Sequence, residues 1–450
     1  MLTDVRILAV EPRFSSIKFR VPLKFGSGYV EDITLFTVKA KVENKRGNRA
    51  TGYGSVLLSD AWAFPGRMLS HSSKDKVMQR LCLKLCKLFN NCEKYAHPLD
   101  IYFDLEPQFE RIALEVKRKM HVPVGIPDLT TLMCASSIDA ALHDGFGKTN
   151  GICSYQGYGP DFMKYDLSRF LGGKHKSKYI SNYIRGNYQE FLPIFHLVGG
   201  ADKLRKKEVN QEDPHDGLPV SLDEWIQAEG IYCFKIKLKG NDLEWDITRT
   251  TEVAKVIEEN ETRRYYLTVD TNEMCESPDY MVDYLKVLKD ENSPVFDSIL
   301  YVEQPTEREL DNHRFDMRQL SRLKPVLIDE SVSSLEKLKL ANELGWSGIA
   351  LKTCKGQSPS LLYLCYARNE GMLYSVQDLT NPGFSFIQSA GFAARISPMF
   401  GVEYNSRQFI PSANEEFSKL HSSLFKVKEG NICTKSIGKM GLGYRKEEIK

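Results

Sequence analysis

Five short apolar runs, each closed by a charged residue, follow one another along the chain at nearly regular spacing. They end at Lys237, Asp270, Glu303, Asp329 and Lys352. The gaps between these residues are 33, 33, 26 and 23 residues, about what one strand, one helix and two short loops occupy. This spacing predicts repeated β/α units, with a charged residue at the carboxyl end of each strand.

Strand-like runs at about residues 194, 234, 267, 300, 327, 350, 375 and 402 bring the count to eight. Eight parallel strands joined by helices favour a closed barrel over an open sheet. Such a barrel takes about 250 residues, so a chain of 450 residues has room for a second domain. The predicted α/β fold is therefore a (β/α)8-type (TIM-like) barrel with a second, smaller domain.

The smaller domain is predicted at the N-terminus, over residues 1–150. Residues 7–10, 35–40 and 52–58 alternate in the manner of antiparallel strands, and residues 74–147 turn to a helical period. Strands followed by helices indicate a small α+β domain. Residues 151–190 are then expected to be a connection, and residues 191–410 the barrel.

Charge and composition exclude several classes of partner. The chain carries 61 basic and 59 acidic residues, so no field favours nucleic acid or an anionic membrane. No apolar run approaches the roughly 18 residues that span a bilayer, and the first 14 residues are charged where a signal peptide needs an apolar core. We expect a cytoplasmic protein whose ten irregularly spaced cysteines are reduced packing thiols rather than zinc ligands.

Three of the strand ends carry acids that a barrel would bring together. The carboxyl ends of barrel strands meet at one mouth, so Asp270, Glu303 and Asp329 are predicted to surround one point. Three carboxylates suit a hard cation, Mg²⁺ or alternatively Mn²⁺, that keeps open positions for a small carboxylate substrate. An acid at a strand end is often only a helix cap; the order of all five charged ends favours a metal site here.

The lysines on either side of these acids are candidate bases. Lys235 and Lys237 point the same way from one strand, and Lys352 stands four strands further round. A lysine removes a proton only when neutral, and a second cation close by favours the neutral form. A metal that holds the substrate carboxylate would stabilise the enolate left by this proton removal.

With these motifs in place the chain resembles the enolase superfamily, in its muconate lactonizing enzyme subgroup. The matching segments are Lys235-Ile236-Lys237, Val269-Asp270-Thr271-Asn272, Val302-Glu303-Gln304-Pro305, Asp329-Glu330-Ser331 and Leu351-Lys352-Thr353-Cys354-Lys355-Gly356. The rival subgroup, which resembles mandelate racemase, uses a histidine on the seventh strand, where this chain has Gln377-Asp378. The resemblance covers almost the whole chain, and by it the last segment, 411–450, returns to the capping domain.

The resemblance also implies a role for each residue of the site. Asp270, Glu303 and Asp329 would bind Mg²⁺, with Lys237 and Lys352 as the acid/base pair and Lys235 neutralising the substrate carboxylate. Three further residues are expected around these groups or against the substrate: Asn272, Glu330 and Glu403. Segments 25–29 and 52–66 of the capping domain match the loops that cover the substrate, and residues 155–190 and 202–222 look like insertions.

The expected activity is proton abstraction next to a carboxylate, as in a racemase or epimerase of an amino-acid derivative or dipeptide. If one lysine is a spectator, the same site would serve a dehydratase or a cycloisomerase. A barrel that binds its ligand without turnover is the alternative of another class. A homo-oligomer is expected, with neither nucleic acid nor membrane as partner.

Overall fold

A computed structural model gives the fold and describes residues 1–25 and 28–446. The chain opens with an antiparallel sheet in the order β1-β2-β3. Its strands are β1 (Val5–Phe25), β2 (Gly28–Asn44) and β3 (Arg49–Leu57). The three alternating runs lie in these strands as predicted. Strands β1 and β2 are much longer than β3. Their far half, residues 14–25 with 28–36, is called the hairpin arm below.

Five helices complete the capping domain: α1 (Asp60–Ala63), α2 (His71–Asn90), α3 (Pro98–Leu105), α4 (Phe109–Lys119) and α5 (Asp128–Thr149). On α2 the apolar side chains at helical spacing are buried, as their period predicts. Strand β3 packs closely on α5 because Gly52 has no side chain. A Cβ there would lie 1.9 Å from the carbonyl oxygen of Ala141.

Residues 151–190 connect the two domains through short helical turns. These are Ser154–Gly157, α6 (Ser168–Leu171), Gly173–His175 and Ile180–Asn182. The domain limits at 150, 190 and 410 remain a prediction.

Eight parallel strands form the barrel: β4 (Phe191–Val198), β5 (Cys233–Lys237), β6 (Tyr266–Asp270), β7 (Ile299–Glu303), β8 (Val326–Ile328), β9 (Gly348–Leu351), β10 (Leu373–Val376) and β11 (Val402–Glu403). Each strand pairs with the next, and β11 pairs back with β4, which closes the ring. The predicted barrel and all eight of its strands are confirmed.

Helices lie between the barrel strands: α7 (Leu222–Glu229), α8 (Leu243–Asn260), α9 (Pro278–Glu291), α10 (Ser293–Ser298), α11 (Arg318–Ser321), α12 (Leu335–Glu343), α13 (Gln357–Asn369) and α14 (Phe384–Ile396). After the last barrel strand come α15 (Ser406–Phe409), α16 (Glu415–Leu420), α17 (Ser422–Phe425) and β12 (Asn431–Cys433). Strand β12 pairs antiparallel with the first three residues of β4.

Two backbone groups near the end of the described chain bond to helix α5 and to the segment that follows it. The backbone N–H of Gly441 donates to the Ile152 carbonyl at 2.9 Å, and that of Leu442 donates to the Asp144 carboxylate at 2.8 Å. Further contacts join the domains nearer the barrel mouth, where the Ser55 and Ser385 hydroxyls lie 2.7 Å apart. The barrel and its cap therefore meet along an extended interface.

Two other findings concern the whole chain. All ten cysteines are unpaired and nine are buried, which agrees with their predicted packing role. Within residues 1–25 and 28–446, none of the helices is both long enough and apolar enough to cross a membrane.

Candidate active site

Strand register places three of the expected residues side by side. In the parallel sheet Lys237 pairs with Asp270, and Asp270 pairs with Glu303, so the ends of β5, β6 and β7 lie level. Lys237 Nζ lies 2.5 Å from Asp270 Oδ2. The regular spacing in the sequence thus becomes a row of adjacent charged groups at the barrel mouth.

Lys235 lies at the centre of this row. Its Nζ is 2.7 Å from Glu303 Oε1 and 3.1 Å from Asp270 Oδ2. On the other side it is 2.9 Å from Glu403 Oε1, at the end of β11. Burial alone would lower the pKa of Lys235, but the three carboxylates outweigh it and raise the pKa well above the usual value. Lys235 therefore carries a fixed positive charge that joins strands from both sides of the barrel.

Asp329 follows β8 and lies between two other lysines. Lys352 Nζ is 2.5 Å from Asp329 Oδ2, and Lys355 Nζ is 3.2 Å from Asp329 Oδ1. Lys355 also donates to the Asp329 backbone carbonyl at 2.6 Å. Lys352 is four strands from Lys237 in a ring of eight, so the two lysines stand on opposite sides of the mouth.

The pKa values of the three acids differ because the lysines are shared unequally among them. All of them are fully buried. Burial opposes the charge of Asp270, but Lys237 and Lys235 hold its pKa at about 2. For Glu303 burial, with the neighbouring charge of Asp270, outweighs Lys235 and Lys352, so its pKa rises to about 7. Lys352 and Lys355 likewise depress the pKa of Asp329 against the effect of burial.

The three supporting residues lie beside this row. Asn272 donates its backbone N–H to Asp270 Oδ1 at 2.8 Å and its side-chain amide to Glu330 Oε1 at 3.4 Å. Burial and the neighbouring Asp329 raise the pKa of Glu330 well above its usual value. Glu403 Oε2 accepts from the Asp378 backbone N–H at 3.2 Å. Asn272 adopts a positive φ of 46°, a strained conformation for a residue other than glycine.

One cavity opens above these groups and is closed on the other side by the capping domain. Its lining includes the lysines at 235, 237 and 352, together with Asn272 and Glu403. The covering segment 52–66 contributes Leu57, Ser59 and Trp62 to the cavity wall. Segment 25–29, the other expected cover, includes residues 26 and 27, which lie outside the described residues.

Trp62 covers the lysines on the Asp329 side. The Lys352 ammonium lies 5.2 Å from the indole centroid, within cation–π range. Arg308 fixes the backbone there by donating to the Trp62 carbonyl at 2.9 Å. Arg308 is in turn held in a two-point ion pair with Glu273, with contacts of 2.8 and 2.5 Å.

Segment 202–222, which is predicted to be an insertion, follows the first barrel strand, β4. It is fastened to the hairpin arm by Arg20, whose Nε and terminal nitrogen lie 2.5 and 2.8 Å from the two oxygens of Asp216. Arg20 also donates to the Pro219 and Leu218 carbonyls at 3.1 and 2.9 Å. The adjacent Phe19 lines the active-site cavity.

Several residues of the site were not singled out by the sequence. Gln377 donates to Glu303 Oε2 at 2.5 Å and accepts from Lys235 at 3.1 Å. Its position at the end of a barrel strand was the available signal. Lys355 lies in a recognised motif, whereas Trp62 comes from another domain and carried no periodic signal.

The donor set fits a divalent metal even though lysines are its present partners. Among the described residues, no group of three or more His, Cys, Asp or Glu side chains is arranged around a common metal position. Yet Asp270, Glu303 and Asp329 stand at the ends of three successive strands and are fully buried, and no donor among the described residues makes a hydrogen bond of good geometry to either carboxylate oxygen of Asp329. Buried carboxylate oxygens without such donors suit a hard cation.

The closed barrel, its cap and the row of three acids flanked by lysines at the strand ends place the chain among capped β/α-barrel proteins. Residues 219–447 match the sequence model described as enolase C-terminal domain-like, which is half of the chain. The chain therefore belongs to the enolase superfamily. No curated protein sequence matches the chain.

Several solved structures share this fold over nearly the whole length of the chain. Muconate lactonizing enzyme from Pseudomonas fluorescens, complexed with muconolactone, is 17% identical with a TM-score of 0.62, over 98% of this chain and 96% of that one. Dipeptide epimerase from Enterococcus faecalis, complexed with Mg and the dipeptide L-Leu-L-Tyr, is 15% identical with a TM-score of 0.61, over 97% and 99%. An enolase from Bradyrhizobium complexed with magnesium and mandelic acid is 15% identical with a TM-score of 0.60, over 99% and 96%. At these identities the likeness concerns the fold.

Proposed function

We propose that the protein is a Mg²⁺-dependent enzyme that removes a proton next to a carboxylate, and that it racemises or epimerises an amino-acid derivative or a dipeptide. The observation that carries this proposal is the placement of Lys237 and Lys352, which line one cavity from strands four apart in a ring of eight. Two bases on opposite sides of a substrate can take a proton from one face and return one to the other. The similarity to a dipeptide epimerase supports this choice.

Asp270, Glu303 and Asp329 would hold the metal. Bound Mg²⁺ would supply positive charge that stabilises the enolate form of the substrate carboxylate. Lys235, fixed between Glu303 and Glu403, would keep a second positive charge beside that carboxylate. The capping domain covers the cavity and limits the access of water to it.

The proposal is tested by following α-proton exchange in D2O by NMR. Purified protein with Mg²⁺ is incubated with pools of N-acylated amino acids, dipeptides and amino-acid betaines. We expect deuterium uptake that EDTA abolishes. The variants are Lys237→Ala and Lys352→Ala, and the matched control is Lys239→Ala, which removes a half-exposed lysine outside the cavity whose partner is Asp242.

A two-base racemase predicts a particular pattern in these variants. Each single variant should lose conversion between enantiomers but retain exchange with the one enantiomer whose proton faces the remaining lysine. The Lys239→Ala variant should behave as the wild type. Full activity in one of the two cavity variants would instead indicate a one-base elimination or cycloisomerisation. If no compound in the pools exchanged its α-proton, the alternative of a binding protein without turnover would gain support.

A further inference from the structure

The turns that follow the two cavity lysines are held by different parts of the molecule. The turn after Lys237 is held by the barrel itself, because the backbone N–H groups of Lys239 and Gly240 donate to the Asp246 carboxylate of α8 at 2.6 and 2.9 Å. Asp246 is fully buried. The turn after Lys352 leads into α13, and its support comes from the capping domain.

Asp139, on the capping-domain helix α5, accepts the hydrogen bonds that cap α13. The N-cap residue of α13 is Gly356, which has no side chain to accept them. Asp139 Oδ2 accepts the backbone N–H of Ser358 at 2.7 Å, and Asp139 Oδ1 accepts the Ser358 hydroxyl at 2.7 Å. Both residues are fully buried. Because a helix N-terminus has backbone donors without partners in the helix, Asp139 fixes the start of α13 against α5.

His143 sets the direction of these hydrogen bonds. The Ser358 hydroxyl donates to Asp139, so it accepts from His143 Nε2 at 2.8 Å. The other ring nitrogen of His143 lies 2.9 Å from the hydroxyl of Tyr158, in the connecting segment. All four residues of this network are fully buried. A buried polar network whose members are partnered favours a single arrangement of its side chains.

Two contacts link this network to the backbone of Lys352. The Ser360 hydroxyl, in the first turn of α13, lies 2.7 Å from the Gly356 carbonyl and 3.1 Å from the Lys352 carbonyl. Cys354, two residues after Lys352, packs in the hydrophobic core of the capping domain. The segment that carries Lys352 is therefore attached to the capping domain by an apolar contact and by the hydrogen-bonded start of α13.

We infer that Asp139 is a positioning residue for Lys352, so that the capping domain holds the base on one face of the substrate and the barrel holds the base on the other. This inference rests on the proposed function for the roles of the two lysines. It goes beyond that function by giving a task to a buried carboxylate that does not line the cavity. A displacement of about 1 Å in a reacting group can cost about 100-fold in rate, so a small shift of the turn is measurable.

The first test follows α-proton exchange separately for the two enantiomers of a substrate. The Lys237→Ala variant identifies the enantiomer whose proton Lys352 removes, and Lys352→Ala identifies the other. In Asp139→Asn the amide keeps the size of the carboxylate but turns a donor toward Ser358. We expect this variant to lower kcat for exchange by Lys352 by about tenfold or more and to leave exchange by Lys237 nearly unchanged.

Asp246→Asn is the matched control, because Asp246 is a buried carboxylate that accepts two backbone N–H groups within the barrel. It should lower exchange by Lys237 instead. Ser360→Ala leaves Asp139 and its contacts in place but removes the hydroxyl beside the Lys352 carbonyl. It should show a weaker form of the Asp139→Asn pattern, and it takes the place of that variant if circular dichroism shows that Asp139→Asn is unfolded.

The second test needs no substrate. Lysine that is isotope-labelled at Nζ gives NMR signals for buried ammonium groups, and the variants Lys352→Arg and Lys237→Arg assign the signals of the two cavity lysines. Asp139→Asn should shift the Lys352 signal and leave the Lys237 signal in place. Asp246→Asn should do the reverse.

The outcomes separate this inference from the proposed function. Equal loss of exchange for both enantiomers in Asp139→Asn, or loss for neither, would overturn the inference and leave the enolate chemistry intact. If the wild type exchanged no compound, the proposed function would fail and the NMR signals would decide the inference alone. A shift confined to Lys352 would then support it, and an unshifted Lys352 signal would overturn it.

Discussion

The contact between the hairpin arm and the insertion is predicted to be a measurable coupling. Arg20 and Asp216 are 196 positions apart and meet through two short nitrogen–oxygen contacts. The Arg20 guanidinium holds the pKa of Asp216 at about 2, below its usual 3.8. In a fully buried pair that difference would amount to about 2 kcal/mol. The Asp216 side chain is 42% exposed, so solvent screening reduces the expected coupling to about 1 kcal/mol.

The coupling is measured with a double-mutant cycle of Arg20→Ala, Asp216→Ala and the double variant, by urea unfolding at pH 7.5. The Asp216 pKa is lower in the folded state, so the coupling is present above pH 4 and is lost as the pH falls toward 2. Hydrogen exchange should quicken in residues 14–25 of either single variant. Arg318 and Asp316, an exposed pair of similar type, serve as the control cycle and should couple by less than about 0.5 kcal/mol.

The outcome also bears on the site, because Phe19 precedes Arg20 and lines the cavity. If the arm is loosened, KM for an active substrate should rise while kcat changes little. A coupling below about 0.3 kcal/mol, together with unaltered exchange in the arm, would refute the view that the insertion holds the arm in place.

Two further predictions concern metal and pH. Mg²⁺ at 100 times its Kd should raise the free energy of unfolding by about 2.7 kcal/mol. In a calorimetric scan Asp329→Asn should remove this stabilisation, whereas the control Asp316→Asn, at an exposed position, should keep it. Equal stabilisation of both variants by Mg²⁺ would contradict the metal assignment. Burial, and secondarily His143, lowers the pKa of His97 to about 3. The contribution of neutral His97 to the free energy of unfolding is therefore complete above pH 6.5 and is lost as the pH falls toward 3, by up to about 1.4 kcal/mol per pH unit. His97→Asn should flatten the dependence in urea titrations from pH 4 to 7, and an unchanged slope would argue against a neutral buried His97.

The parts of the fold that could be predicted are those that repeat locally. A strand buried on both faces and closed by a charged residue has the same pattern wherever it occurs, so the eight strands and their order followed from spacing. Lys237, Asp270 and Glu303 came together because parallel register carries each strand end to the same level.

The rest of the site depends on contacts between distant segments. Trp62 reaches Lys352 from another domain, and Arg308 holds it there across 246 positions. The sequence did not indicate the length of the hairpin arm. The outer half of the arm packs against α15 and the insertion, which are far away along the chain. No periodic pattern records which partner a residue meets at such distances.

Residues 441 and 442, near the end of the described chain, bond to helix α5 and to Ile152 just after it. The barrel is joined to its cap on the way in, at residues 147–154, and again on the way out, at Gly441 and Leu442. Two bodies tied at a single seam can swing apart about it, but a second set of ties at Arg308 and Ser385 lies away from that seam and opposes rotation. A rigid swing of the cap away from the barrel would therefore have to break contacts at both places.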